Sequence, residues 1–338
     1  MNWNLLSKYR SELMGIATIS VVVFHFCEMV LDNLDHVNFL ARQIGQSFLR
    51  HGYIGVEVFL ILSGIGCYYS FCKKSNVKVF YKKRLVKIMI PYLLVAIPFW
   101  GCLNLFLEQK VKMFFLNLTG ISLMMGTRTF WYVFLILIMY LIFPLLFYLF
   151  SQNGKRRIVS FIIIEGLIIL STYILFLNYP NFFDSIEVLV TRIPIFIYGV
   201  YMGKNVREKK HISWLLFIFL ISIMFFVNYD IENIILKRYV NSIQAIGFSL
   251  IIVKIFDILN IYQINLNSLN KKLSTIGMYS FEVYLIHIAY RKIFNELLIP
   301  TYTLLNYAII IVLTIITSIV VKRVVNKINA KIYKLKED

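Results

Sequence analysis

Long apolar segments recur along the 338 residues, about ten in all, each with the roughly 17–25 residues needed to cross about 30 Å of hydrocarbon. That recurrence constrains the fold more than any motif does. Inside a bilayer no water is available to backbone N–H and C=O groups, so each crossing segment must satisfy them within itself, and a bundle of α-helices follows. The segments fall at about 11–30, 51–72, 88–107, 129–150, 158–178, 186–203, 212–228, 239–259, 273–293 and 300–321. The chain is 59% hydrophobic and 15% charged, where a soluble domain carries about 25% charge. The expected fold class is all-α, a polytopic transmembrane helical bundle of about ten spans. It forms a single domain over residues 1–338, with no soluble domain, linker or internal repeat.

Charge sets the expected orientation. With the N-terminus in the cytosol, Lys8 and Arg10, the basic run from Lys73 to Lys87, Lys155 to Arg157, Lys204 to Lys210, Lys271 and Lys272 all face inward, as the positive-inside rule requires. An even number of spans returns the C-terminus to the same side, where residues of about 322–338 form a basic tail. The net charge of +18 then reflects topology and attraction to anionic membrane lipid, and no nucleic-acid partner is implied. The first apolar segment is long and lacks a small-residue cleavage pattern, so it reads as a retained span.

Cys27, Cys67, Cys72 and Cys102 show no CxxC spacing, so neither a disulfide framework nor a metal site is expected. The stretch at 108–128, with FFLNLTGISLMMGT, reads as an interfacial or re-entrant segment on the outer side. Trp131 follows it and suits an interfacial anchor.

Ionisable groups inside spans are costly in lipid and mark candidate sites. His25 in the first span and Glu57 in the second lie about 8–9 Å below the outer surface at 1.5 Å per residue. Arg192 and His287 fall in the same layer. An imidazole with a carboxylate partner is a general-base arrangement, which His25 and Glu57 fit. The same residue types suit a proton relay in a transporter or flippase, and Glu57 with Arg192 equally suits a buried structural ion pair. At the opposite end, Arg10 precedes His25 by about 22 Å of helix. Lys82, Lys83, Arg84 and Lys87 form a cationic cluster before the third span. Basic groups at the cytosolic mouth and a base near the outer end suit a long anionic donor laid along the bundle; lipid headgroups suit the same cluster.

Five segments in order resemble the acyltransferase-3 family of integral membrane O-acyltransferases: GYIGVEVFLILSG, FYKKRLVKIMIPYLL, FWYVFLILIMYLIFPLL, TRIPIFIYGVYMGK and IGMYSFEVYLIH. The resemblance implies transfer of an acetyl or other short acyl group from cytosolic acyl-CoA, a co-substrate and not a permanently bound cofactor. The acceptor would be a hydroxyl of a cell-surface or exported polysaccharide or its lipid-linked precursor. The protein would be multi-pass in a bacterial plasma membrane, with polysaccharide synthesis or export machinery as a partner.

By the same resemblance His25 is the essential histidine and Glu57 its acidic partner. Arg10, Lys82, Lys83, Arg84 and Lys87 would hold the donor, and Ser63, Trp131, Arg192, Ser280, Tyr284 and His287 would line the acceptor or oxyanion site. One position departs from the pattern. The arginine expected eleven residues before His25 is Met14, and Arg10 stands one turn lower on the same face.

Overall fold

A computed structural model describes residues 1–31, 52, 54–226, 231–297 and 304–334. Among them the chain is helical almost throughout, with no β-strand. The helices are α1 (Leu5–Lys8), α2 (Arg10–Leu31), α3 (Ile54–Lys73), α4 (Val77–Trp100), α5 (Val111–Thr119), α6 (Trp131–Ser151), α7 (Gly154–Asn178), α8 (Pro180–Val190), α9 (Ile193–Arg207), α10 (Trp214–Phe226), α11 (Ile234–Ile261), α12 (Asn267–Leu297) and α13 (Leu304–Lys334).

Every expected span has its helix, with revised ends. Eight helical stretches among the described residues are long and apolar enough to cross a membrane by length and composition. α12 is too polar to meet that measure and α10 too short. The ends of the expected spans at 51, 53, 227–228 and 300–303, and the last four residues of the basic tail, lie outside the described residues. α4 starts eleven residues before the expected third span and continues through a π-helical turn, Gly101–Leu107. Helix formation needs no apolar side chains, so the basic run extends the helix and carries Arg84 and Lys87 on it. The expected sixth span is two helices that break at Thr191 and Arg192. Pro194 has no N–H to give to the preceding turn, and it favours a new helix start. The segment at 108–128 forms α5 and a 3₁₀ turn, Ile121–Met125. Gly120 and Gly126 flank that turn at φ 78° and 89°, a backbone open to glycine without steric cost.

The N-terminus is tied down beside the α9–α10 connection. Trp3 N–H donates to the Lys210 carbonyl at 3.0 Å and Ile212 N–H to the Met1 carbonyl at 2.8 Å. The first residues and the basic loop after α9 therefore share one side of the bundle, as the charge pattern requires.

Small residues let the helices that carry the site touch. A Cβ on Gly15 or Gly277 would run into the Leu273 or Ser11 carbonyl, so α2 and α12 meet backbone to backbone. A Cβ on Gly64 would lie 2.5 Å from the Phe196 carbonyl, and one on Gly199 2.5 Å from that of Ile61, so α3 and α9 are pressed together in the same way. In lipid, where burying apolar surface drives little helix association, such close packing holds a bundle together.

Candidate functional site

A cavity of about 580 Å³ opens within the bundle between α2, α3, α4, α6 and α12 and the α8–α9 junction. Its wall includes Arg10, Met14 and His25 from α2, Ser63 from α3, and Arg84 and Lys87 from α4. Trp131, Arg192, Ser280, Tyr284 and His287 line it as well, while Glu57 is not among the lining residues. Eight arginines and lysines line it against one carboxylate, Glu28.

At one end the Arg10 and Arg84 guanidiniums converge on Gly66. Arg84 donates to the Gly66 carbonyl at 3.1 Å and lies over the Phe80 and Tyr140 rings, at 5.5 and 5.3 Å from their centroids. Arg10 reaches the same glycine from α2, and its Nε is buried with no protein partner. Among the described residues no carboxylate lies within ion-pair distance of Arg10, Arg84 or Lys87. Three cations left without carboxylates are a ready receptor for phosphate groups. Lys82 and Lys83 do not line the cavity. At 100° per residue Lys82 points away from the face that Arg84 and Lys87 share, whereas Lys83, one turn before Lys87, lies at the edge of that face and is exposed.

At the other end His25 meets a carboxylate, but not Glu57. Its Nδ1 lies 3.3 Å from Glu28 Oε2, one turn along α2, and 2.5 Å from Arg291 Nη1 on α12. Arg291 Nη2 also donates to Glu28, at 2.6 Å. The His25 and His287 rings stack at 5.5 Å, and both ring nitrogens of His287 are buried without a protein partner. Ser280 is buried on the same helix. Tyr284 accepts a hydrogen bond from Tyr132 N–H at 3.3 Å.

The expected pairing of His25 with Glu57 is therefore corrected. Glu57 is fully buried, and its Oε1 accepts from Arg192 Nε at 3.0 Å. The reason is its place on α3. Glu57, Ile61, Gly64 and Tyr68 follow at spacings of four, three and four, which makes one stripe, and that stripe packs on α9. Arg192 caps the start of α9, so the carboxylate meets the guanidinium and not the imidazole. The guanidinium lies 4.8 Å from the Trp131 ring centroid and donates a second bond to the Val188 carbonyl at 3.1 Å. Trp131 thus packs a cation inside the cavity wall. Ser63 Oγ lies 3.2 Å from the Tyr140 hydroxyl.

Several lining groups were not anticipated. Glu28 is three residues after His25, and Arg291 is one turn beyond His287 on the stripe Gly277, Ser280, Tyr284, His287; the helical spacing itself was the signal. Arg128 and Arg238 also line the cavity and both lean on Glu187, with Arg238 Nε at 2.6 Å and Arg128 Nη1 at 3.9 Å. These come from a loop and from the second turn of α11, and no spacing in the sequence joins them. Glu282, inside the expected ninth span, is paired with Lys322 of α13 at 2.9 Å.

A helical bundle of this length and apolarity, closed around a cation-rich cavity, defines a multi-pass membrane protein with an internal polar site. The family model described as an acyltransferase domain, of the acyltransferase-3 type, matches residues 13–323 of the 338, and the chain belongs to that family of membrane acyltransferases. No curated protein and no solved structure matches it.

Proposed function

We propose that the protein moves an acetyl or other short acyl group from cytosolic acyl-CoA to a hydroxyl of a cell-surface or exported polysaccharide or its lipid-linked precursor, in a bacterial plasma membrane. One observation carries this reading: a single cavity has unpaired cations at the Arg10 end and a histidine pair at the His25 end. The two ends are about 22 Å apart along α2, a distance suited to a pantetheine arm with its phosphates at the mouth and its thioester beside the imidazole.

In the proposed reaction Arg10, Arg84 and Lys87 hold the donor phosphates. His25 takes the proton of the acceptor hydroxyl as that oxygen attacks the thioester carbonyl, and the thiol of coenzyme A leaves. His287, with both nitrogens unpartnered, has an N–H to give to the developing oxyanion or the acceptor. Arg192 is held by Glu57 and Trp131 at the cavity wall, a fixed positive charge near the acceptor. Ser63, Ser280 and Tyr284 supply further hydroxyls.

The test is transfer by the purified protein in proteoliposomes, with labelled acetyl-CoA and candidate glycans, comparing wild type with His25→Ala. Transfer is expected to be lost in the variant; full activity in His25→Ala overturns the mechanism. Donor-dependent thermal stabilisation that survives Arg84→Ala would remove the phosphates from the proposed end, and its absence in wild type would favour a transporter without a donor site, whose function survives neutralising Arg10 and Arg84.

A further inference from the structure

His25 Nδ1 faces two partners with opposite requirements. Arg291 Nη1 is 2.5 Å away and Glu28 Oε2 is 3.3 Å away. A guanidinium has only N–H groups to give, so Nδ1 accepts from Arg291, and the single proton of a neutral ring sits on Nε2. A carboxylate only accepts, so a hydrogen bond to Glu28 needs the proton on Nδ1 and leaves Nε2 bare. In this structure the shorter contact belongs to Arg291, which also clamps Glu28 at 2.6 Å.

We propose that Arg291 and Glu28 form a tautomer gate on His25, which rests on reading His25 as the base of the transfer reaction. With Arg291 on Nδ1 the ring offers Nε2–H and cannot take a proton there. When an anionic group on the substrate draws the guanidinium away, Glu28 accepts from Nδ1–H, and Nε2 becomes the base. The exchange conserves charge and protons: the ring gives the Nε2 proton to water in the cavity and takes one from water at Nδ1. The guanidinium is placed to respond, because Arg291 lines the cavity and its Nε is buried without a protein partner. Glu28 and Arg291 are positioning residues, acting through the imidazole. The gate links base formation to occupancy, so an empty cavity holds no activated base.

Nitrogen NMR of the full-length protein, labelled at histidine ring nitrogens and held in detergent micelles, reads the tautomer directly, with the His25 signals assigned by their absence in His25→Gln. Wild type without substrate is expected to show the Nε2–H form, and Arg291→Gln the Nδ1–H form. Arg291→Lys keeps a donor-only cation and is expected to retain Nε2–H, which separates loss of the gate from loss of the fold. In transfer assays Glu28→Gln is expected to lower kcat by at least about 100-fold, with KM for the acyl donor within about twofold. An Nδ1–H form in wild type, or an Nε2–H form in Arg291→Gln, overturns the proposal, as does full kcat in Glu28→Gln. A tautomer that moves with Arg291 in a protein devoid of transfer activity overturns the acyl-transfer reading and leaves the Arg291–Glu28 competition standing.

Discussion

Glu57 and Arg192 meet at 3.0 Å with side-chain exposures of 0% and 5%, which joins the GYIGVEVFLILSG segment of α3 to the break between α8 and α9. The pair fixes a guanidinium at the cavity wall against Trp131. Its other carboxylate oxygen, Glu57 Oε2, is buried with no protein partner, so the bond to Arg192 is the main compensation for burying that charge.

Removing one partner strands the other in a low-dielectric site. Glu57→Ala and Arg192→Ala are each expected to cost about 3–5 kcal/mol of stability. Glu57→Leu combined with Arg192→Met is expected to cost less than either, because no unpaired charge remains. Reversible unfolding in mixed micelles measures this, and additive losses in the double variant would mean that the two groups do not act as a pair.

The glycine seams should tolerate no side chain. Gly64→Leu and Gly277→Leu place atoms where the Phe196 and Ser11 carbonyls lie, so loss of the monodisperse folded protein is expected on size-exclusion chromatography. Gly166 in α7 has open space around it. Gly166→Ala is expected to raise stability by about 0.5–1 kcal/mol.

The cation cluster predicts which lysines matter. Arg84→Ala and Lys87→Ala each remove a charged partner of the proposed phosphates and are expected to raise the donor KM by about 10–100-fold, the equivalent of about 1.5–3 kcal/mol, with kcat little changed. Lys83→Ala, outside the cavity lining, is expected to be silent. Initial-rate kinetics against acyl-CoA distinguishes them.

Arg10 and Met14 line the same cavity one turn apart, so the charge expected at position 14 is expected to be portable. Arg10→Met should weaken donor binding, and Met14→Arg in that background should restore it, by calorimetric titration with coenzyme A. Failure of the rescue would mean that Arg10 acts through its place at Gly66 and not through its charge.

Much of the site was legible as residue types. His25, Arg192 and His287 stand out as ionisable groups in apolar helices, Ser280 and Tyr284 came from the family resemblance, and the structure gathers all five at one cavity. Their partners were less legible. Depth along two helices suggested His25 with Glu57, but depth leaves rotation about the helix axis open. The stripe through Ile61, Gly64 and Tyr68 turns Glu57 toward α9, and it was readable at helical spacing. So was Arg291, four residues beyond His287.

The amino-acid sequence by itself determined that this chain is a bundle of membrane-crossing helices, because unpaired backbone in hydrocarbon is too costly for any other local structure. The five ordered segments also identified the family. Only the tertiary structure decided which buried charges neutralise one another: Glu57 with Arg192, Glu28 with Arg291, Glu187 with Arg238 and Glu282 with Lys322. All four pairs bridge separate helices, and the two that span more than a hundred residues, Glu57 with Arg192 and Glu28 with Arg291, join the helices whose glycine faces let two backbones touch. Local sequence determines a helix; the contacts between helices determine what a buried charge can reach.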